Sequence, residues 1–173
     1  MKEYMILTCV GKDRPGIVDD ISTTLFEHNA NIEDSRMAVM GGRFSVMILF
    51  SCTQSELERI RASIQGLEPL GLEATLHEAD DPAALEVKPA LPLILETTAM
   101  DHPGIVRKMV QILRSHDVNI LGLNTRVTRA PFSGAPLFNL SLEAAVPTVT
   151  PLAQVKAELE ELAATMNLDL SFR

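Results

Sequence analysis

The hexapeptide Asp13-Arg14-Pro15-Gly16-Ile17-Val18 returns 88 residues later as Asp101-His102-Pro103-Gly104-Ile105-Val106. At the same offset His28-Asn29-Ala30-Asn31-Ile32 is matched by His116-Asp117-Val118-Asn119-Ile120. This is an internal duplication, and it constrains the fold more than any other feature: whatever forms must form twice within 173 residues. Each unit then has roughly 80 residues, near the lower end of what a single core stabilises alone. Asp80, Asp81, Pro82, Pro89 and Pro92 interrupt the periodicity between the copies. The expected organisation is a first domain over residues 1–79, a linker over 80–91 and a second domain over 92–173.

The first copy reads as strand, helix, strand, strand, helix, strand. Residues 3–10 are an apolar strand that Gly11 is expected to end. Pro15 suits a first helical turn, where its missing N–H costs nothing. Ile17, Ile21, Leu25 and His28 then recur at spacings of four, four and three residues as the buried stripe of a helix that Asn29 can stop. Residues 31–40 and 43–52 flank Gly41-Gly42, a pair that supplies the positive φ angles of a two-residue hairpin. Thr53 and Glu56 have capping-box spacing ahead of Leu57, Ile60, Ile64 and Leu67, and residues 72–77 close the unit with a strand.

The second copy restarts at Leu93 to Ala99, and Ile105, Met109, Leu113 and His116 repeat the helical stripe. Aligning Phe44 with Phe138 raises the offset to 94, so residues 130–136 carry an insertion of 6 in the hairpin loop, itself a candidate for function. Thr150 is expected to cap a helix bearing Leu152, Val155, Leu159 and Leu162 before a last strand at 168–172. Two βαββαβ units predict an α+β protein of two ferredoxin-like domains, each an antiparallel four-stranded sheet with two helices on one face. Met47 and Leu49 oppose Val46 and Ile48 on one strand. The second sheet face is therefore expected to be covered by the other repeat or by another subunit, which makes a homo-oligomer the expectation.

Charge narrows the partners. The formal net charge is −8, and residues 1–89 hold 8 Lys/Arg against 15 Asp/Glu. With no basic run to neutralise phosphates, direct nucleic-acid binding is not expected. The acidic first half is either a solvated face or a surface for a basic protein. No stretch approaches the roughly 20 apolar residues of a membrane span, and a cytoplasmic protein is expected. Cys9 and Cys52 lie in apolar strands without paired spacing and read as reduced core thiols.

The Asp-x-Pro-Gly turn is the one place with ligand chemistry. A helix N-terminus there presents free N–H groups and the positive end of the helix dipole to a carboxylate, and Gly16 or Gly104 permits close approach. Asp13 and Asp101 either meet the ammonium of an amino-acid zwitterion or cap their own helices; the motif leaves both readings open. His28 and His116 fall at helix C-termini, where positive charge is favourable. No His/Cys/Asp set has metal-ligand spacing, no cofactor motif occurs, and no catalytic constellation is present.

Taken together, strand, Asp-[Arg/His]-Pro-Gly-Ile-Val, helix, and Asn-Ile opening the next strand resemble the ACT domain, a small-molecule regulatory module. The resemblance covers nearly the whole chain and implies ligands at the interface of paired domains, between the strand-to-helix turn of one and the second strand of its neighbour. By position it points to Asp13, Gly16, Ile17, Asn31 and Ile32, and to Asp101, Gly104, Ile105, Asn119 and Ile120. For tandem ACT chains it further implies an amino-acid sensor, with glycine the expected ligand. Such a sensor would repress transcription of glycine cleavage genes by binding a LysR-type activator rather than DNA. The alternative is a stand-alone allosteric subunit or binding partner of an enzyme of amino-acid metabolism. Similar units precede the catalytic domains of formyltetrahydrofolate deformylase and phosphoserine phosphatase, but with 173 residues no catalytic domain is expected here.

Overall fold

The computed structural model describes every residue except Met1, Val87 and Phe132, so the expected linker and the 130–136 loop each contain one position outside the described residues. The chain divides into two compact units, residues 1–86 and 87–173.

In the first unit β1 (Lys2–Lys12), α1 (Ile17–Phe26), β2 (Asn31–Met40), β3 (Arg43–Thr53), α2 (Gln54–Ser63), a 3-10 helix (Ile64–Leu70) and β4 (Leu72–Ala79) follow in order. The sheet order is β2-β3-β1-β4, with every neighbouring pair antiparallel. The second unit repeats this with β5 (Ala90–Met100), α3 (Ile105–Ser115), β6 (Asn119–Arg129), β7 (Pro136–Pro147), α4 (Leu152–Met166) and β8 (Asp169–Phe172), in the sheet order β6-β7-β5-β8. These are two ferredoxin-like domains.

Strand and helix stripes share one core in each unit. Leu7, Phe50, Ile21, Leu25 and Ile60 are fully buried in the first, and Leu95, Leu142, Met109, Leu113 and Leu159 in the second. Outside the cores large apolar side chains remain on the surface, Met47 at 53% and Phe26 at 80% exposure among them. Gly41 and Gly42 take φ of 58° and 75°, and β2 pairs with β3 from Met40↔Arg43 onward, as a two-residue turn with two left-handed positions requires. No helix among the described residues is long and apolar enough to cross a membrane.

Three local expectations are corrected. Gly11 does not end β1, which runs on to Lys12. The glycine pairs with Leu72, and a Cβ there would lie 2.5 Å from the Gly71 carbonyl oxygen, so it serves close strand approach rather than termination. The second helix tightens into 3-10 turns from Ile64, and this stretch contains Pro69. Thr150 caps nothing: Pro151 is the N-cap of α4, and the Thr150 hydroxyl donates instead to the His116 carbonyl oxygen at 3.3 Å.

Candidate functional site

Both turns are built alike. As β1 leaves the sheet, the Asp13 N–H donates to the Gly42 carbonyl at 3.0 Å, which ties the turn to the β2–β3 hairpin. Asp101 N–H does the same with Pro136 O at 3.2 Å. The chain then needs a left-handed residue, and Gly16 (φ 90°) and Gly104 (φ 99°) provide it as the N-caps of α1 and α3. The first helical bonds run from Asp20 N to Gly16 O at 2.9 Å and from Lys108 N to Gly104 O at 3.0 Å. The N–H groups of residues 17–19 and 105–107 thus point out of the helix with no helical acceptor.

No side-chain cap covers them. Asp13 and Asp101 make no side-chain hydrogen bond or ion pair among the described residues, and both are exposed. The capping alternative is thereby corrected: a glycine takes the cap position, and each aspartate stands free beside the unused N–H groups. Ile17 and Ile105 are 2% exposed and belong to the cores, so a ligand at either turn meets their backbone and not their side chains.

The turns differ in what flanks them. The Arg14 guanidinium donates to the Asp20 carboxylate at 2.7 Å and, at longer range, to the carbonyls of Pro15 and Leu70. Its counterpart His102 has Pro103 O 3.3 Å from Nδ1 and no other side-chain hydrogen bond among the described residues, and the position of Asp20 is taken by Lys108. His102 and Lys108 instead share a hollow of about 440 Å³ with Thr165 and Asn167.

Asn31 and Ile32 are not brought to the turn of their own unit. They line a hollow of about 450 Å³ with Leu25 and Phe26, at the other end of α1 from Gly16. Ten helical residues, about 15 Å, lie between. The cleft beside Asp13 and Arg14 has a volume of about 340 Å³, and beyond the turn its walls come from Val18 and Asp19 on α1 and from Met37, Val39 and Phe44 on the hairpin. Sequence reasoning missed these wall residues. The available signal was the alternation of Met37 and Val39 just before Gly41-Gly42, which places both on the same side of β2. Their approach to the turn follows from Val39↔Phe44 pairing and the Asp13–Gly42 bond.

Asn31 is itself engaged. Its amide donates to Glu33 Oε1 at 3.1 Å, and Ser51 Oγ (2.6 Å) and Lys2 Nζ (3.0 Å) donate to the same oxygen. Together, with Ser51 foremost, they pull the Glu33 carboxyl down to about 2. Glu33 sits on a β-bulge between Ile32 and Asp34, and the second unit repeats the bulge between Ile120 and Gly122 with Leu121 in place of the carboxylate. Asn119 is exposed and Ile120 half-buried.

The histidines join helices within each unit. His28 Nε2 lies 2.6 Å from Ser63 Oγ. His116 Nε2 lies 3.0 Å from Glu158 Oε1 without hydrogen-bond alignment, and this proximity holds the Glu158 carboxyl below the usual carboxylate range.

An ACT-domain family model matches residues 3–77. The glycine cleavage system transcriptional repressor of Escherichia coli is 25% identical over 169 residues, covering 96% of this chain and 87% of the relative. A UPF0237 protein of Methanopyrus kandleri is 36% identical over 78 residues, 43% of this chain and 87% of the relative. The crystal structure of an unknown protein from Galdieria sulphuraria superposes with a TM-score of 0.84 at 28% identity, covering 100% of this chain and 98% of that one.

Proposed function

Because this chain belongs to the ACT-domain family, we propose that it is an amino-acid-sensing regulatory protein and not an enzyme. One observation carries the reading. At each turn a helix N-terminus has unused N–H groups, and three residues before its glycine cap stands a carboxylate, Asp13 or Asp101, that makes no side-chain hydrogen bond among the described residues. Those two features match the two ends of an amino-acid zwitterion: the N–H groups and the helix dipole take the carboxylate, and the aspartate takes the ammonium.

Since Asn31 and Ile32 lie at the far end of α1 from Gly16, one unit cannot offer its own turn and its own Asn-Ile pair to one small ligand. The site residues proposed are Asp13, Gly16 and Ile17 with Asp101, Gly104 and Ile105 at the turns, and Asn31, Ile32, Asn119 and Ile120 on the second strands. The finer reading is negative regulation of glycine cleavage genes, with glycine as effector and a LysR-type activator as protein partner, without DNA contact. It is supported by the likeness to the Escherichia coli repressor over nearly the full chain and by the absence of a basic cluster in the sequence.

A thermal-shift screen of the full chain against all the amino acids tests the sensing step, because a ligand bound only to the folded state raises Tm. A rise with one or a few amino acids is expected; no rise with any at millimolar concentration overturns the reading. In a gel shift at physiological salt the purified protein is expected to leave glycine cleavage promoter DNA unshifted.

A further inference from the structure

In the first unit Leu7 and Cys9 of β1 and Val46 and Ile48 of β3 belong to the core. Strand alternation therefore turns Ile6, Thr8, Val10, Met47 and Leu49 to the opposite face of the sheet, where Ile6 pairs with Leu49 and Thr8 with Met47. Val10 is 40% and Met47 53% exposed there, and Met40, at the end of β2, is 70% exposed. The second unit repeats the fold and the apolar core but not this outer face. The duplication offsets and the register put Glu96 for Thr8, Ser141 for Met47, Glu143 for Leu49 and Thr128 for Met40. Its polar groups are matched on the face itself. Glu96 pairs with Arg173 at 2.9 Å, while the Asn139 side chain accepts from Thr98 at 3.1 Å and donates to Thr128 at 3.0 Å. One outer face is thus built for water and the other for an apolar contact.

We infer that the outer sheet face of the first unit docks on the same face of a second copy of this chain, about a two-fold axis parallel to the strands. Its size suffices. Four strands about 4.8 Å apart and the eight residues of β4 at about 3.4 Å each give a flat area of roughly 500 Å², so two copies together cover about 1,000 Å², the lower end of a specific interface. Charge fixes the orientation. Asp34 and Arg36 flank the apolar rows on β2, and Glu73 and His77 flank them on β4. An axis across the strands through the Met47 row would set Arg36 on Arg36. The axis along the strands instead lays β2 over β4 of the second copy, with Asp34 opposite the partner's His77 and Arg36 one row from the partner's Glu73. Such a contact is isologous and closes at two copies.

Sedimentation equilibrium of the full chain from about 1 µM to about 1 mM tests this, and a reversible monomer–dimer equilibrium is expected. Met47→Glu places a charge in the middle of the contact twice, once from each copy, and is expected to raise the dimer Kd at least about a hundredfold. Ser141→Glu makes the same change on the outer face of the second unit and is expected to leave Kd unchanged. Met47 and Ser141 both lie outside the cores, so circular dichroism is expected to show both variants folded as the parent. Should Met47→Glu disturb the fold, Met47→Ser replaces it in the test, with a rise in Kd of at least about tenfold expected. A chain monomeric at every concentration overturns the inference and leaves the face to a different partner. A dimer indifferent to the Met47 variants, or weakened as much by Ser141→Glu, overturns it as well.

Discussion

The amide of Asn31 donates to the Glu33 carboxylate across 3.1 Å, whereas Asn119, the same position in the second unit, has Leu121 two residues on and so no carboxylate to hold. One asparagine is thus committed to the scaffold at a β-bulge, and the other makes no side-chain hydrogen bond among the described residues. The duplicated motif carries two different local environments.

The Glu33 contacts have a pH consequence. A carboxyl held at about 2 in the folded state stabilises the fold above its ordinary titration range and loses that contribution as pH falls toward 2. The stability of the parent chain is expected to fall more steeply between about pH 5 and pH 2 than that of Glu33→Gln, measured by urea unfolding at a series of pH values. Parallel curves for the two would show that the three donors do not hold the charged form.

Asp13 and Asp101 are expected to be indifferent to folding. With Gly16 and Gly104 as the N-caps, neither Asp→Asn nor Asp→Ala removes a cap, and both should stay within about 0.5 kcal/mol of the parent rather than costing the ~1 kcal/mol of a lost cap. Ligand binding is expected to weaken by roughly 1–2 kcal/mol on Asp→Asn, through loss of a charge-assisted bond. Chemical denaturation and calorimetry on the same variants separate the two effects.

Gly11→Ala is expected to destabilise the first unit by about 1–3 kcal/mol, because the added carbon would meet the Gly71 carbonyl at 2.5 Å and Leu72 Cδ2 at 2.7 Å. The carbonyl belongs to the backbone of the turn that leads into β4 and cannot swing aside as a side chain would. A midpoint equal to the parent's would mean that β4 shifts at little cost.

Thr97 offers the opposite sign. Its hydroxyl is buried without a hydrogen-bond partner among the described residues, in a residue 2% exposed, at the position that Cys9 fills in the first unit. Thr97→Val keeps the shape and removes the orphaned group, so a gain of about 1 kcal/mol is expected in urea unfolding. A loss would reveal a partner for the hydroxyl that opens only in solution.

Burial pushes the Cys9 thiol up to about 11. At pH 8 the native chain is expected to leave Cys9 unmodified by a small disulfide reagent until denaturant is added, since the thiolate is the reacting form. Mass spectrometry of the native and unfolded chain reads this directly.

The architecture is written into short stretches of the chain, because every device needed to build it is local. Gly41-Gly42 forces a tight hairpin, Ile17, Ile21 and Leu25 define one helix face, Gly16 permits the left-handed cap, and the 88-residue offset makes all of this happen twice. What the tertiary structure decided is which of these residues remain available. Ile17 and Ile105 belong to the motif, yet helix packing turns their side chains into the cores. Asp13 had the composition of a cap, but capping depends on backbone angles that only the folded turn reveals, and they assign the cap to Gly16. Met37 and Val39 lie more than twenty residues from Asp13 along the chain and reach its cleft only through strand pairing, a long-range contact that no spacing rule encodes. Asn31 and Ile32, though nearer to Asp13 in sequence, are carried away from it along the length of α1, because a helix is stiff and separates its two ends.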